Sequence, residues 1–572
     1  MISDSTKYLI NRYFILFIIF WILINLLQAG FTDLNNDEAY YWMYSQYPAW
    51  GYFDHPPMIA LMTGAGYFLF HNELGVRLMT VLLMAGSLLI IWHLIEDSDN
   101  KNANLKYFIL LAITLPVFNI FGFIATPDSP LIFFSVLFLL AYKRFLEKDS
   151  WSNSVFIGLA MAAMMYSKYH AALLIIFVIL SNPVLLKNLR FYLASILGAV
   201  FFIPHIYWQF ANDLPSFRYH LVDRVAGLNP ENIPEYLGNL LVIQNPMIFP
   251  LVIWLTVRRK PENRFDRALY FILYGFMGFF LLASLRYDVQ PQWTSLMAIP
   301  VILLVFRSLD KNPIVGKTIK WVTWAMLPLI IIGRSALIFD LLPVSFLKDE
   351  FHDYKKKVKE ISEIAGDLPV VFTNSYQDPS VYIFYTGKFS HSLNNLNYRR
   401  TQYDIWDFEE KIHGKEVLYV PHWPTPFIQQ NFKKHYYFND DSVYMKVCSD
   451  FQSLQKECVI LKDEDYTFRE NTQNSLEMDI FNPYSYPISI KHKEFPVAFY
   501  INFFSNGQRE ERWRISLPDS ISVINPGDSL SVNCNFNMGE LADSTYMIVV
   551  SSEAGALYDA INSKSSTASI VR

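Results

Sequence analysis

Asn35-Asn36-Asp37-Glu38-Ala39-Tyr40-Tyr41-Trp42, and then Trp50-Gly51-Tyr52-Phe53-Asp54-His55-Pro56-Pro57, follow directly on an apolar run from Tyr13 to Ala29. A helix crosses the hydrocarbon core of a membrane with about 20 apolar residues. Lys7 and Arg12 precede the run, as they would precede a secretory leader. Many more apolar runs follow, however, and no clear small-x-small cleavage site closes this one, so it reads as a retained first helix. The aromatics just beyond it suit an interfacial belt. The acids do not: a carboxylate beside a membrane is costly and usually marks a functional site.

Outward from this segment the same pattern repeats. Apolar runs recur near 77–95, 105–125, 130–146, 153–167, 170–186, 190–210, 238–257, 268–285, 293–307 and 320–342, which makes eleven expected spans with the first. With the N-terminus in the cytoplasm, the inner segments hold eighteen Lys and Arg residues and the outer segments five. That asymmetry is the positive-inside pattern, and an odd number of spans places everything after residue 345 outside. The composition agrees: 52% of the 572 residues are hydrophobic and 17% charged, where soluble domains average about 25% charged. A net charge of -5 gives no footprint for nucleic acid. Three cysteines exclude a disulfide scaffold, and no zinc-type Cys/His spacing occurs.

The expected domains are a membrane part over 1–345, an α/β part over 346–462 and a β-sandwich over 463–572. An amphipathic helix is predicted from Asp349 to Ile364, and buried strands at Pro369-Val370-Val371-Phe372 and Glu416-Val417-Leu418-Tyr419-Val420. From about 465 short alternating strands take over, among them 476–480, 497–504, 513–517, 530–536 and 545–550, with Asn482-Pro483 and Pro526-Gly527 as punctuation. Cys448 and Cys458 would lie outside, where a disulfide and two free thiols are both open.

Further polar residues fall on the outer side of this map. They are Asp128 in Thr126-Pro127-Asp128-Ser129-Pro130, Lys168 in Ser167-Lys168-Tyr169-His170, the group Arg218, His220, Asp223 and Arg224, and the segment Arg286-Tyr287-Asp288-Val289-Gln290-Pro291-Gln292-Trp293. Singly each has an ordinary explanation. Asp128 suits a helix start, Lys168 can extend its ammonium to the interface, and a lone loop histidine is common. Together, opposite inner loops that are merely basic, they point to one outward-facing polar site.

At these residues the chain resembles the protein O-mannosyltransferases and aminoarabinose transferases, polyprenyl-phosphate-dependent glycosyltransferases of the GT-C fold in the bacterial family 39/83 group. The likeness covers about residues 10–340. It rests on Asp37-Glu38 after the first span, Gly51-Tyr52-Phe53-Asp54-His55-Pro56-Pro57, Gly75-Val76-Arg77-Leu78, Thr126-Pro127-Asp128-Ser129-Pro130 and Ser167-Lys168-Tyr169, in that order. The resemblance implies a multi-pass inner-membrane enzyme with a polyprenyl-phosphate sugar as donor and a periplasmic acceptor (protein, lipid A or glycan). It implies Asp37 as catalytic base, with Glu38 orienting it, and inversion at the sugar carbon. A carboxylate at a desolvated site suits proton abstraction. Cations must meet the growing charge on the phosphate leaving group, with Lys168 first and Arg218, Arg224 or Arg286 as helpers. Tyr41, Asp54, His55, Asp128, Asp288 and Gln292 fall to the substrate pocket. Asp54-His55 stands where the aminoarabinose transferases carry an acid and a lysine. The histidine leaves a phosphate contact there in doubt and a divalent ion open, with Asp54, His55 and His220 as candidate ligands.

Two other functions fit parts of the sequence. A transporter or flippase for lipid-linked sugars needs polar residues through the middle of several spans, and these are rare here. A membrane-anchored binding protein would place its function in the tail, which carries neither a catalytic triad nor a nucleotide loop.

Overall fold

The computed structural model describes residues 12–95, 101–220, 227–342, 344, 350–396, 398–423, 425–436, 442–505, 507–541, 545–555 and 559–571, with the side chains of 427 and 436 left aside. The chain forms two compact units, Met1–Asp353 and Tyr354–Arg572.

The first unit is helical. Its helices are α1 Arg12–Phe31, α2 Asn36–Gln46, α3 Met58–Tyr67, α4 Glu73–Leu94, α5 Leu105–Thr114, α6 Pro116–Ile120, α7 Asp128–Glu147, α8 Trp151–Ser167, α9 Ala171–Ser181, α10 Leu189–Ala211 and α11 Pro215–Arg218. After these come α12 Asn232–Ile243, α13 Ile248–Arg258, α14 Arg264–Ala283, α15 Ala298–Arg307 and α16 Pro313–Phe339, with a 3₁₀ turn at Pro291–Met297 ahead of α15. One apolar core, from Phe14 through Leu88, Phe138 and Ile272 to Val322, ties them together. Among the described residues six helices (α1, α4, α7, α10, α14 and α16) are long and apolar enough to cross a membrane, and α12 with α13 would make a seventh as one bent span.

The helices are interrupted where the sequence carries breakers. The run over 105–125 divides at Leu115, because Pro116 has no N–H to continue α5. The run over 238–257 is bent by 96° between α12 and α13. At that bend Asn245 adopts a left-handed φ of 73°. Its buried side chain accepts from the N–H groups of Met247 and Ile248 and donates to the Thr114 carbonyl, which replaces the missing helix bonds. The run over 170–186 ends as α-helix at Ser181, just before Pro183. The first outer segment, read as a loop, folds instead as α2 and α3. Asn35 caps α2 in a reciprocal box with Glu38.

The second unit opens with α17 Tyr354–Ala365. A mixed sheet follows, built from β1 Val370–Thr373, β2 Ser390–Leu393, β3 Val417–Pro421, β4 Lys433–Tyr436 and β5 Ser442–Cys448, with α18 Gln377–Thr386 between β1 and β2. Its order is β2-β1-β3-β5-β4; β1 runs parallel to both β2 and β3, and β5 antiparallel to β3 and β4. The remaining strands are β6 Val459–Leu461, β7 Asp465–Arg469, β8 Gln473–Phe481, β9 Ile488–Ser489, β10 Val497–Ser505, β11 Gln508–Ile515, β12 Val523–Ile524, β13 Ser529–Asn537, β14 Thr545–Ala554, β15 Asp559–Ile561 and β16 Ser566–Val571. A sheet of order β11-β10-β14-β16-β7 and a sheet of order β13-β8-β6 enclose a core containing Phe468, Met478, Phe503, Val532 and Phe536. Alternation along β8 and β13 sends every second side chain into that core. Phe495, Ala554 and Ala560 also pack with Val371, Tyr419 and Phe451, so the mixed sheet and the sandwich share apolar contacts. Cys448 and Cys458 are buried free thiols, and burial pushes the Cys458 thiol up to about 12.

Candidate active site

Asp37 and Glu38 occupy the first turn of α2, where acidic side chains suit the helix dipole. They are adjacent in sequence and so about 100° apart around the helix, and their environments differ. Asp37 is half-buried. Glu38 is fully buried. Arg77 Nε donates to Glu38 Oε1 at 2.7 Å and Arg77 Nη2 to Oε2 at 2.5 Å. The other Arg77 protons go to the carbonyls of Ala29, Thr32 and Asp33, so all five guanidinium donors are used. Glu38 also accepts from the backbone N–H of Asn35 at 3.0 Å and of Ala125 at 2.7 Å. This buried pair fastens the end of α1, the start of α2, α4 and the segment before α7.

Three residues beyond Ala125 stands Asp128, at the start of α7. Lys168, just past the end of α8, donates to Asp128 Oδ2 at 2.7 Å, and Ser295 donates to Oδ1 at 3.0 Å. Asp128 and Lys168 are both buried. Next to Lys168, the Tyr169 hydroxyl lies 2.9 Å from His205 Nε2 and accepts from Gln209 at 3.1 Å. His205 Nδ1 meets the Trp50 carbonyl at 2.8 Å. Gln209 donates to Ser216 Oγ at 2.8 Å, and that hydroxyl donates to the carbonyls of Tyr52 and Phe53. Asp54 follows; it accepts from the hydroxyls of Tyr40 at 3.1 Å and Tyr44 at 3.3 Å, both on α2. The Tyr41 hydroxyl lies 3.4 Å from His55 Nε2.

Hydrogen bonds and short stretches of chain together close a circuit. From Glu38 the path runs through Ala125, Asp128, Lys168, Tyr169, Gln209, Ser216, Phe53 and Asp54 back to Tyr40, two residues after Glu38. A closed polar ring at one end of the helices leaves Asp37 half-buried on its α2 edge. Gly51 is required beside it: a Cβ there would stand 2.4 Å from the Trp208 ring and 2.8 Å from His205 Nδ1.

Not every expected residue joins the ring. Arg218 is exposed at the end of α11, and His220 is half-buried, edge-on to Tyr169 at 6.1 Å. Arg286 and Asp288 are exposed, with Asp288 accepting from Gln290, while Gln292 is half-buried. Arg224 and Asp223 lie outside the described residues. Among the described residues no three His, Cys, Asp or Glu side chains converge as a metal set. The candidate ligands Asp54, His55 and His220 are thus not brought together, and no step is assigned to a metal. The sequence reading also missed His205 and Gln209; their spacing of four within an apolar run, which puts them on one helix face, was the available signal. Arg334 lies within α16. It donates to Gln28 at 3.3 Å, Asn119 at 3.4 Å and Asn25 at 2.9 Å. A cavity of about 190 Å³ lined by Arg259, Glu262, Asp266, Arg307 and Lys311 opens beside Ile95, at the other end of α4 from Arg77. It lies about 27 Å away along that helix and takes no part in the ring.

The backbone matches the aminoarabinose transferase ArnT of Cupriavidus metallidurans in its apo state with a TM-score of 0.56, at 14% identity, over 77% of this chain and 98% of that one. The chain has the GT-C glycosyltransferase fold. ArnT bound to undecaprenyl phosphate matches at a TM-score of 0.52 and 13% identity, over 76% of this chain and 97% of that one. The profile of the dolichyl-phosphate-mannose-protein mannosyltransferase family matches residues 54–208, a stretch that begins at Asp54 and holds Arg77, Asp128, Lys168 and His205. A lipid A galacturonosyltransferase, RgtD of Rhizobium johnstonii, is 24% identical over 332 residues, 56% of this chain and 68% of that protein.

Proposed function

We propose that this chain is a membrane glycosyltransferase that moves a sugar from a polyprenyl-phosphate donor to a periplasmic acceptor. Asp37 takes the proton of an acceptor hydroxyl as its oxygen bonds to the anomeric carbon; the carbon–oxygen bond to phosphate breaks, and the configuration inverts. Lys168 is oriented by Asp128 and has two further N–H donors for the phosphate, with Arg218 and Arg286 adding exposed positive charge. Glu38 and Arg77 hold Asp37 in place rather than meeting substrate. The helical termini that carry this site face the periplasm, as the excess of basic residues on the opposite side suggests.

The carrying observation is the circuit of hydrogen bonds and intervening chain that joins the Asp37 helix to the Asp128–Lys168 pair. The similar proteins support the same reading: one ArnT structure is bound to undecaprenyl phosphate, and RgtD is a lipid A galacturonosyltransferase. Transfer from a panel of polyprenyl-phosphate sugars to envelope glycolipid, followed by mass spectrometry, tests it. Asp37→Asn is expected to lower the rate by a factor on the order of 10²–10⁴, the usual contribution of a general base. Near-normal transfer by that variant removes Asp37 from the role.

A further inference from the structure

The second unit carries a polar and aromatic cluster that the transfer reaction does not use. In its sheet, β1 is flanked by β2 on one edge and β3 on the other, both parallel to it. The chain leaves β1 through α18 toward β2, and the next parallel strand lies on the opposite edge. The carboxyl ends of β1 and β3 therefore flank a topological switch point, the place where open α/β sheets bind ligands.

Both loops at that point contribute. After β1, Asn374 takes a left-handed φ of 55° and turns the chain into α18, which carries Asp378. After β3 come His422 and Trp423. Across the crevice His422 Nδ1 lies 3.2 Å from Asp378 Oδ2, and Lys357 of α17 reaches Oδ1 at 3.4 Å. Asp378 is buried. Burial would raise its pKa, yet Lys357 and His422 hold it well below the usual carboxylate range. An ionised carboxylate on Nδ1 fixes the proton there, so in neutral His422 the other nitrogen, Nε2, is an acceptor. The His422 side chain is 33% exposed, which leaves room for a partner. Beside it the Trp423 ring is 57% exposed, edge-on to His422 at 4.9 Å and to Tyr398 at 6.0 Å.

We infer that the crevice formed by Trp423, His422 and Lys357 is a carbohydrate-binding subsite that takes a pyranose ring of the acceptor. An exposed indole offers a flat apolar face for the C–H face of a sugar, and ammonium and imidazole supply a donor and an acceptor for its hydroxyls. Other ligands fit poorly. The turn Asn374-Ser375-Tyr376 has no glycine to cradle phosphates, and the Asp378 carboxylate already fills the first turn of α18. The assignment rests on the transferase reading in one respect: it takes the glycan to be the acceptor's.

Saturation-transfer NMR tests it with the full-length protein in lipid nanodiscs prepared without sugar detergents. The probes are the methyl glycosides of glucose, galactose and mannose. The expected result is saturation of the ring protons of at least one glycoside, falling roughly tenfold in Trp423→Ala, the scale of one lost aromatic stack. The signal also falls in His422→Ala and persists in Asp37→Asn. No saturation from any of the three by the wild type, or an undiminished signal in a Trp423→Ala protein with unchanged melting, overturns the assignment. If Asp37→Asn transfers normally while Trp423→Ala loses saturation, the subsite stands and the Asp37 mechanism falls.

Discussion

Glu38 and Arg77 form a buried ion pair that ties four segments of the helical unit together. A buried carboxylate needs its partner: removing one side of such a pair typically costs about 3–5 kcal/mol, because the other charge stays buried and unmatched. Arg77→Leu is therefore expected to lower the melting temperature of the purified protein sharply, by the equivalent of that cost, and to strand three backbone carbonyls as well. Glu38→Leu alone should also destabilise, and the double variant should lose less than the sum of the two. Additive losses in that cycle would remove the coupling. Asp37→Asn contrasts with them; its half-buried side chain gives up a favourable place at a helix start, worth no more than about 1 kcal/mol. A large fall in melting for Asp37→Asn would mean that its lost transfer reports unfolding rather than chemistry.

Among the elements, the breaks between helices shape the bundle more than the helices themselves. Asn245 is the clearest case, since it joins a left-handed backbone to three side-chain hydrogen bonds at a 96° bend. Both Asn245→Ala and Asn245→Gly lose those bonds, but only alanine strains against the left-handed φ, by about 1 kcal/mol. Glycine should thus be the more stable of the two by thermal melting, the reverse of their order inside a helix; the opposite ranking would argue against the bend. Such breaks were only half legible beforehand. Hydropathy marked each apolar run because lipid demands it, and Pro116, Pro183 and Pro246 stood in view, but a proline does not say whether a helix kinks, ends or doubles back. The strands of the second unit were easier, since alternation along Leu476–Ile480 and Leu530–Phe536 fixes which side faces the core. Around the site the residues Asp37, Glu38, Asp54, Asp128 and Lys168 were readable. That Glu38 pairs with Arg77, Asp128 with Ser295 and Asp54 with Tyr40 was not, because such contacts come from packing.

For the whole molecule, the decisive quantity is the side of the membrane on which the polar ring opens. Basic residues are concentrated at the helix ends away from the ring: Lys143 and Arg144 close α7, Arg258 closes α13 and Arg264 opens α14. They would face the negative inner leaflet and leave the Asp37 end outside. The native thiols favour a direct test. Cys448, Cys458 and Cys534 are all buried, and burial pushes their pKa values up to about 11, 12 and 11, so they should react slowly with a maleimide. Single cysteines introduced at Arg286, exposed near the ring, and at Lys311, exposed near the opposite end, then report topology over a low background. Arg286→Cys should label with a membrane-impermeant maleimide in intact cells, and Lys311→Cys only after permeabilisation. The reverse pattern would put Asp37 in the cytoplasm, where a periplasmic acceptor cannot reach it, and the transfer reaction proposed for this site would fail with it.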